Sequence, residues 1–170
     1  MLQEAHHNLD AAAQEAPLVQ ADFHRLPLAA SAQFDGMLFM FSTLGLICSQ
    51  ARRKAVLAGL RPHLRGHGRI LAHVHNDRFR DHRGCLERMR RSVRQWMGEA
   101  EHGDKVMPRY RGIQDLYLHS FTQDEVVELF ETSGYRLFEV RPLNSRRNGP
   151  YEGPDAQRNA NGFLVAAGLR

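Results

Sequence analysis

The sequence has little of what would mark a secreted or membrane-embedded chain. It has two cysteines, Cys48 and Cys85, too few for the disulfide framework of a small secreted domain. Its first eight residues are too polar for the core of a signal peptide. The longest apolar stretch, residues 37–48, is much shorter than the roughly 20 residues that a spanning helix needs. We therefore predict a cytoplasmic protein without a membrane span.

Repeats and low-complexity tracts are also absent. A chain of 170 residues with 42% hydrophobic content suits one globular domain, so we expect residues 1–170 to form a single unit. The formal net charge of +4 and the isoelectric point near 9.5 permit attraction to polyanions. Basicity of this size does not by itself identify a partner.

Strand and helix patterns alternate along the chain, which predicts an α/β fold with a mostly parallel, doubly wound sheet. Residues 1–14 are rich in alanine and favour a helix. The apolar run at 37–41 is typical of a central strand that is buried on both faces. The predicted strands are residues 18–21, 37–41, 70–76, 135–140 and 162–167.

A helix is predicted after the strand at 37–41, with Ser49 as a suitable N-cap. Val56, Leu60 and Leu64 recur every four residues and predict its buried face, opposite the three basic residues 52–54. We expect the glycines at positions 66 and 68 to end this helix.

The second half of the chain carries two further predicted helices. Residues 78–98 show an apolar stripe with arginines mostly off it, and residues 103–112 are predicted to form a loop. Thr122 and Glu125 have the spacing of a capping box that opens a helix, and Gly134 is placed to close it. Residues 144–161 are predicted to be a polar loop.

Several polar or aromatic residues follow directly on predicted strands. Asp22, Phe41, Ser42, His75 and Asn76 each fall at a carboxyl end, where ligands bind in open parallel sheets. Each also has a plain structural interpretation. An aspartate favours turns and caps, Phe41 could pack in the core, and Ser42 could cap a helix.

Histidines form a second candidate group. His73 and His75 lie on the same side of a predicted strand, and with His119 they could form a zinc site. No carboxylate or cysteine completes a ligand spacing, so we predict no metal. The alternatives are buried, hydrogen-bonded imidazoles or a proton-transferring role, for which His75 and His119 are the candidates.

Three segments in order, residues 21–27, 34–41 and 64–71, resemble the cofactor-binding half of the class I S-adenosylmethionine-dependent methyltransferases. The resemblance implies a Rossmann-like sheet whose last strand is antiparallel, with S-adenosylmethionine as cofactor. It implies that Asp22 accepts a hydrogen bond from the adenine amino group and that Phe23 lies beside the adenine ring. Phe41 and Ser42 would lie near the methionine portion and the transferring methyl group.

Residues 117–122, followed by Glu125, resemble a segment of methyltransferases that act on tRNA wobble uridine or on quinone precursors. The resemblance implies a small-molecule or tRNA acceptor. The family often builds its acceptor pocket where this chain has an arginine-rich insertion, at about residues 77–112. We therefore expect Asn76, Tyr117 and Arg91 to contact the acceptor, although the arginines could also form an exposed helix face or bind RNA.

The sequence departs from the family at its beginning. The family's first strand, its glycine-rich turn and its second strand have no counterpart before residue 21. We therefore expect a partial, N-terminally truncated methyltransferase domain that alone binds S-adenosylmethionine weakly or not at all. A basic RNA-binding module or a non-catalytic fragment of this fold is the alternative.

Overall fold

The computed structural model describes residues 2–79, 101–110, 112–146 and 149–170. Two short 3₁₀ turns, Thr43–Leu46 and Arg61–His63, flank the second helix. The helices and strands along the chain are α1 (Leu2–Ala11), β1 (Phe34–Phe39), α2 (Gln50–Leu60), β2 (Leu64–His75), β3 (Asp104–Tyr110), β4 (Ile113–His119), α3 (Gln123–Thr132), β5 (Tyr135–Leu143), α4 (Ala156–Asn159) and β6 (Gly162–Leu169).

The main sheet has four strands in the order β1-β2-β6-β5. β1 and β2 are parallel, whereas β6 is antiparallel to both of its neighbours. The α/β class and the antiparallel last strand are therefore confirmed, but the described sheet is mixed rather than mostly parallel. The prediction of a central strand at 37–41 that is buried on both faces is wrong in this sheet. β1 lies at its edge and Leu38 is 68% exposed, because within the described residues only β2 pairs with β1. Because β1, β2 and β5 run in the same direction, their carboxyl ends lie at one end of the sheet.

The apolar core joins α2 and α3 to the strands. Val56 and Leu57 of α2 and Val126 and Phe130 of α3 are almost completely buried in one cluster with apolar residues of the sheet. The hydroxyl group of Tyr135 donates a hydrogen bond of 2.7 Å to the carbonyl oxygen of Leu57. Burial raises the pKa of this tyrosine to about 12. This bond links the start of β5 to α2.

The predicted capping box at the start of α3 is confirmed. The Thr122 hydroxyl accepts a hydrogen bond of 3.2 Å from the Glu125 amide, and the Glu125 carboxylate accepts one of 3.4 Å from the Thr122 amide. Gly134 follows the helix with a φ of +88°, a conformation that favours glycine. The start and end of α3 are thus both encoded locally.

We expect Thr122→Ala to lower the free energy of unfolding by about 1 kcal/mol, because one amide at the start of α3 loses its acceptor. Urea unfolding followed by circular dichroism measures the change. Thr132→Ala, at the other end of the same helix, is the control and should change stability by less than about 0.5 kcal/mol. Equal effects of the two variants would contradict the assigned cap.

The strand predicted at residues 18–21 is wrong. Residues 12–33 contain no helix or strand, and Leu18 and Val19 are exposed. A strand needs a neighbour to satisfy its backbone groups, and within the described residues no strand pairs with this segment. The helix predicted at the start is present as α1, but it buries no residue.

The loop predicted at residues 103–112 is also wrong. Its larger part is β3, which forms an antiparallel hairpin with β4. β3 includes Pro108, and in a two-stranded hairpin a proline can occupy a position without a ladder hydrogen bond. The helix predicted at 78–98, which includes Arg91, lies almost entirely outside the described residues.

Arg53 was predicted on the exposed face of α2 and is instead fully buried. It precedes Val56 by three residues and Leu57 by four, so it shares their side of the helix. Ser49 caps α2 as predicted, since its hydroxyl oxygen accepts from the Arg52 amide. The helix ends at Leu60, before the glycines that were expected to stop it, because β2 already begins at residue 64.

Candidate functional site

Ser42 lies where the carboxyl ends of β1 and β2 meet. Its amide donates a hydrogen bond of 3.0 Å to the carbonyl oxygen of His73, and its hydroxyl oxygen accepts one of 3.3 Å from the amide of His75. The residue is completely buried. Its side chain does not cap the following 3₁₀ turn, so that alternative for Ser42 is wrong.

Phe41 and Ser42 both have left-handed backbone conformations, with φ of +55° and +59°. Such conformations are unfavourable for side chains with a Cβ and persist where surrounding contacts impose them. The turn projects Phe41 outward, and 84% of its surface is exposed, which contradicts the alternative of core packing. An exposed aromatic ring on a constrained turn therefore borders the carboxyl end of β1.

Phe23 approaches the same end of the sheet. Its ring lies 6.2 Å from that of Phe39, the last residue of β1. The preceding Asp22 is exposed and accepts a hydrogen bond of 2.9 Å from the amide of His24, which is a turn interaction. That amide, together with the His24 ring, holds the pKa of Asp22 below its ordinary value. The structure thus brings Phe23 to the carboxyl end of β1, with the Asp22 carboxylate next to it in the chain.

Asn76 is buried at the end of β2 and faces inward. Its side-chain amide donates to the carbonyl oxygens of Gln157 and Ala160, both at 2.8 Å, and its side-chain oxygen accepts from the Arg78 amide. These bonds use both of its amide hydrogens. Asn76 therefore joins β2 to the segment around α4.

His73 and His75 lie side by side as predicted, with ring centroids 5.2 Å apart in an edge-to-face contact. His119 does not join them, since its two ring nitrogens face carboxylates. The three-histidine zinc site considered from the sequence is therefore not formed. His75 is the more accessible of the strand pair, because His73 is buried.

His119 instead belongs to a buried charge cluster that no sequence pattern predicted. His119 Nδ1 lies 2.8 Å from Asp104 Oδ1, and Nε2 lies 2.7 Å from Glu125 Oε1. The cluster comprises Arg53, Glu101, Asp104, Tyr117, His119 and Glu125. Both ring nitrogens of His119 therefore face carboxylate oxygens.

Arg53 supplies a positive charge to the cluster. Its guanidinium group binds the carboxylate of Glu101, lies 3.9 Å from Glu125 and donates to the carbonyl oxygen of Ile47. The group also lies over the ring of Phe121, 5.4 Å from its centre. The Arg53 side chain thereby contacts the segment before β3, the start of α3 and the residues just before α2.

Two members of the cluster, Asp104 and Tyr117, have shifted pKa values. Burial alone raises the pKa of Asp104, but hydrogen bonds from Tyr117, His119 and the Glu101 amide outweigh it and hold this pKa below 3.8. Burial, together with the 2.6 Å hydrogen bond to Asp104, raises the pKa of Tyr117. The carboxylate thus stays ionised and the phenol stays neutral at physiological pH.

Glu101, Asp104 and His119 place ligand atoms within 4.8 Å of one another, a spacing that would suit a metal ion. The arginine is already bound to Glu101, and Asp104 already accepts from Tyr117 and faces His119. These contacts satisfy the negative charges without a metal. The cluster is better suited to fixing the hairpin than to holding a cation.

Comparison with known proteins identifies the fold. The chain resembles a solved S-adenosylmethionine-dependent methyltransferase from Clostridium acetobutylicum, with a TM-score of 0.65 and 10% identity, over 99% of this chain and 70% of that one. A second solved structure is the Burkholderia thailandensis 1,6-didemethyltoxoflavin-N1-methyltransferase, with bound 1,6-didemethyltoxoflavin and S-adenosylhomocysteine. It has a TM-score of 0.59 and 16% identity, over 98% of this chain and 56% of that one. The chain has the class I methyltransferase fold.

The sequence comparisons are less extensive. A β-hexosaminidase from Hydrogenovibrio crunogenus is 31% identical over 105 residues, which are 59% of this chain and 29% of that protein. The chain thus spans less than a third of the length of this curated relative. No family model matches the sequence. The fold assignment rests on the solved structures, which the chain matches almost from end to end.

Proposed function

We propose that the chain is part of an S-adenosylmethionine-dependent methyltransferase and that the carboxyl ends of β1 and β2 carry its cofactor site. The likeness to solved methyltransferases over 99% of the chain is the observation that carries this proposal. The position of Phe41 and Ser42 supports it, because open α/β sheets bind ligands at the carboxyl ends of their strands.

Four residues are proposed to hold the cofactor. Asp22, which stays ionised at neutral pH, would accept a hydrogen bond from the adenine amino group. Phe23 and the exposed ring of Phe41 would provide apolar contact area. Ser42 would act through the backbone of its turn, because its hydroxyl already binds the amide of His75. The chain's own contribution is to fix this turn.

When bound, S-adenosylmethionine supplies a sulfonium methyl group, which passes to a lone pair of the acceptor while the carbon–sulfur bonding electrons return to sulfur. The protein mainly aligns the reacting groups and excludes water. His75 is the better candidate for accepting a proton from a hydroxyl or amine acceptor, because it is partly exposed at the end of β2. His119 is buried and held by two carboxylates.

The acceptor is proposed to be a small molecule or a tRNA nucleoside. The 1,6-didemethyltoxoflavin bound to the Burkholderia enzyme is an example of the first class. Of the three residues expected to contact an acceptor, Tyr117 is half-buried with its hydroxyl on Asp104, and Asn76 faces inward. Tyr117 is therefore retained in this proposal, together with Arg91, which lies outside the described residues.

Titration with S-adenosylhomocysteine, followed by the amide signals of the ¹⁵N-labelled chain in NMR, tests the cofactor site. NMR detects the weak binding expected of this chain. The amides of Phe23, Phe41 and Ser42 should shift, and Asp22→Ala should weaken binding roughly 10-fold, because a hydrogen bond to a charged group is lost. Asp10→Ala, an exposed aspartate on α1, is the control.

Three outcomes of this titration would refute the cofactor site. These are the absence of shifts at millimolar ligand, shifts confined to other parts of the chain, or equal effects of the Asp22 and Asp10 variants.

A further inference from the structure

Four exposed arginines gather at the end of the sheet opposite to the proposed cofactor site. We call Arg61, Arg69, Arg136 and Arg170 the arginine corner. Here the start of β5 meets the end of β6, since Tyr135 pairs with Leu169. Arg69 and His75 are six positions apart in β2, which is about 20 Å along an extended strand. The corner is thus a surface separate from the rim around Ser42.

Three of these arginines lie around the start of β5. The guanidinium carbon of Arg61 lies 2.8 Å from the position that a Cβ on Gly134 would take. Arg170 Nε donates a hydrogen bond of 3.2 Å to the carbonyl oxygen of Tyr135, which follows Gly134 in the chain. Arg136 follows directly on the same strand. Arg61, Arg136 and Arg170 therefore all lie at or beside the first residues of β5.

Phe138 forms the centre of the corner. The guanidinium carbons of Arg69 and Arg136 lie 4.3 and 4.8 Å from the centre of its ring, which is 43% exposed. Arg69 reaches this ring across Gly168 of β6, where an added Cβ would lie 2.9 Å from the Phe138 ring and 3.2 Å from Arg69 Nη1. The glycine thus leaves the space in which the two side chains meet.

The charges of the corner are not neutralised from within the described part of the chain. Arg61, Arg69, Arg136 and Arg170 form no ion pair there, whereas the neighbouring Asp35 already binds Arg65 and His67. Arg69 Nη1 donates to the carbonyl oxygens of His67 and Gly68, so its other N–H donors are the ones that phosphate oxygens can bind. The surface therefore combines several unneutralised donors with an exposed aromatic ring.

We infer that the arginine corner binds single-stranded RNA through its phosphates, with a base able to contact Phe138. Guanidinium planes and aromatic rings are the groups on which proteins receive unstacked RNA bases, while phosphate contacts supply most of the affinity. This inference does not depend on the methyltransferase activity, because the corner is remote from the rim. Other polyanions are outcomes of the test.

Binding of a fluorescent oligouridylate to the full 170-residue chain, measured by anisotropy at several salt concentrations, tests the inference. Four phosphate contacts predict a slope of about −2.8 for log K against log salt, so affinity should fall about 50-fold between 50 and 200 mM. Arg69→Glu/Arg136→Glu should reduce the slope to about −1.4 and weaken binding at low salt at least roughly 10-fold.

Arg141→Glu is the matched control, because Arg141 lies on the same strand and is ion-paired with Glu139 at 2.6 Å. Arg69→Lys/Arg136→Lys serves if the reversed charges prevent folding, and it should keep the slope while losing affinity, since lysine keeps the charge but not the stacking. A slope near zero, equal weakening by Arg141→Glu, or binding of labelled heparin without binding of RNA would overturn the inference.

Discussion

Replacing Arg53 with methionine should lower the free energy of unfolding by about 3 kcal/mol, among the largest effects expected of any single substitution in this chain. Arg53 is fully buried, and its loss leaves the Glu101 carboxylate without its cationic partner and removes the guanidinium group that lies 3.9 Å from Glu125. We expect the lower end of the range for broken buried ion pairs, because the Glu101 side chain is 37% exposed and water can solvate it. Urea unfolding at neutral pH measures the loss.

Lys54→Met is the matched control for this experiment. Lys54 is the next residue of α2, and its pairing with Glu128 at 3.6 Å is at the surface. Such pairs contribute at most about 1 kcal/mol. In addition, Arg53→Met should speed amide exchange in β3 and β4, because Arg53 binds the segment that leads into the hairpin. Equal destabilisation by both variants would show that the buried ion pair does not stabilise the fold.

The local parts of this fold could be predicted from the sequence, because short-range chemistry determines them. The Ser49 cap, the Thr122–Glu125 capping box and the apolar run of β1 each depend on residues within a few positions of one another. The pattern at 162–167 likewise identified β6. The resemblance to methyltransferases also supplied the order of these elements and the antiparallel direction of the last strand.

The buried charge cluster could not be predicted in the same way. Glu101 is 48 residues from Arg53, and nothing in the sequence near either residue indicates the pairing. One signal was available, since Arg53 has helical spacing to Val56 and Leu57 and had to share their buried face. The hairpin was missed for a related reason, because each of its strands is stabilised mainly by the other.

The cofactor site lies between these two cases. The sequence placed Phe41 and Ser42 at the end of a strand, but their left-handed backbone depends on bonds from Ser42 to β2, more than 30 residues away. Phe41 is consequently exposed rather than packed. A strand end is thus predictable from a local pattern, whereas the side that a residue presents there depends on the neighbouring strand.

Asp104→Asn should lower the free energy of unfolding at neutral pH by about 2 kcal/mol, because two hydrogen bonds to a charged acceptor become bonds to a neutral amide. In the native chain, the Asp104 carboxylate accepts from Tyr117 at 2.6 Å and faces His119 Nδ1 at 2.8 Å. Its amide replacement has nearly the same shape, so the variant tests the charge rather than the packing. Urea unfolding at neutral pH measures the loss.

The same substitution should change how stability depends on acid. The pKa of Asp104 in the folded chain lies below the ordinary 3.8, so the folded carboxylate binds protons less readily than the unfolded one. Its contribution is therefore complete above pH values near 3.8 and is lost as the pH falls through the lower folded value. Between pH 7 and pH 2 the free energy of unfolding should consequently fall less steeply for Asp104→Asn than for the native chain.

Asp155→Asn, an exposed aspartate before α4, is the control for this acid titration, and its profile should follow that of the native chain. If Asp104→Asn also follows the native profile throughout, the carboxylate does not stabilise the hairpin through its charge. If the profiles of Asp104→Asn and the native chain converge only in acid, the ionised form of Asp104 is what connects Tyr117 and His119 of β4 to β3. The hairpin that carries Tyr117, the proposed acceptor contact, would then be stabilised by this ionised group.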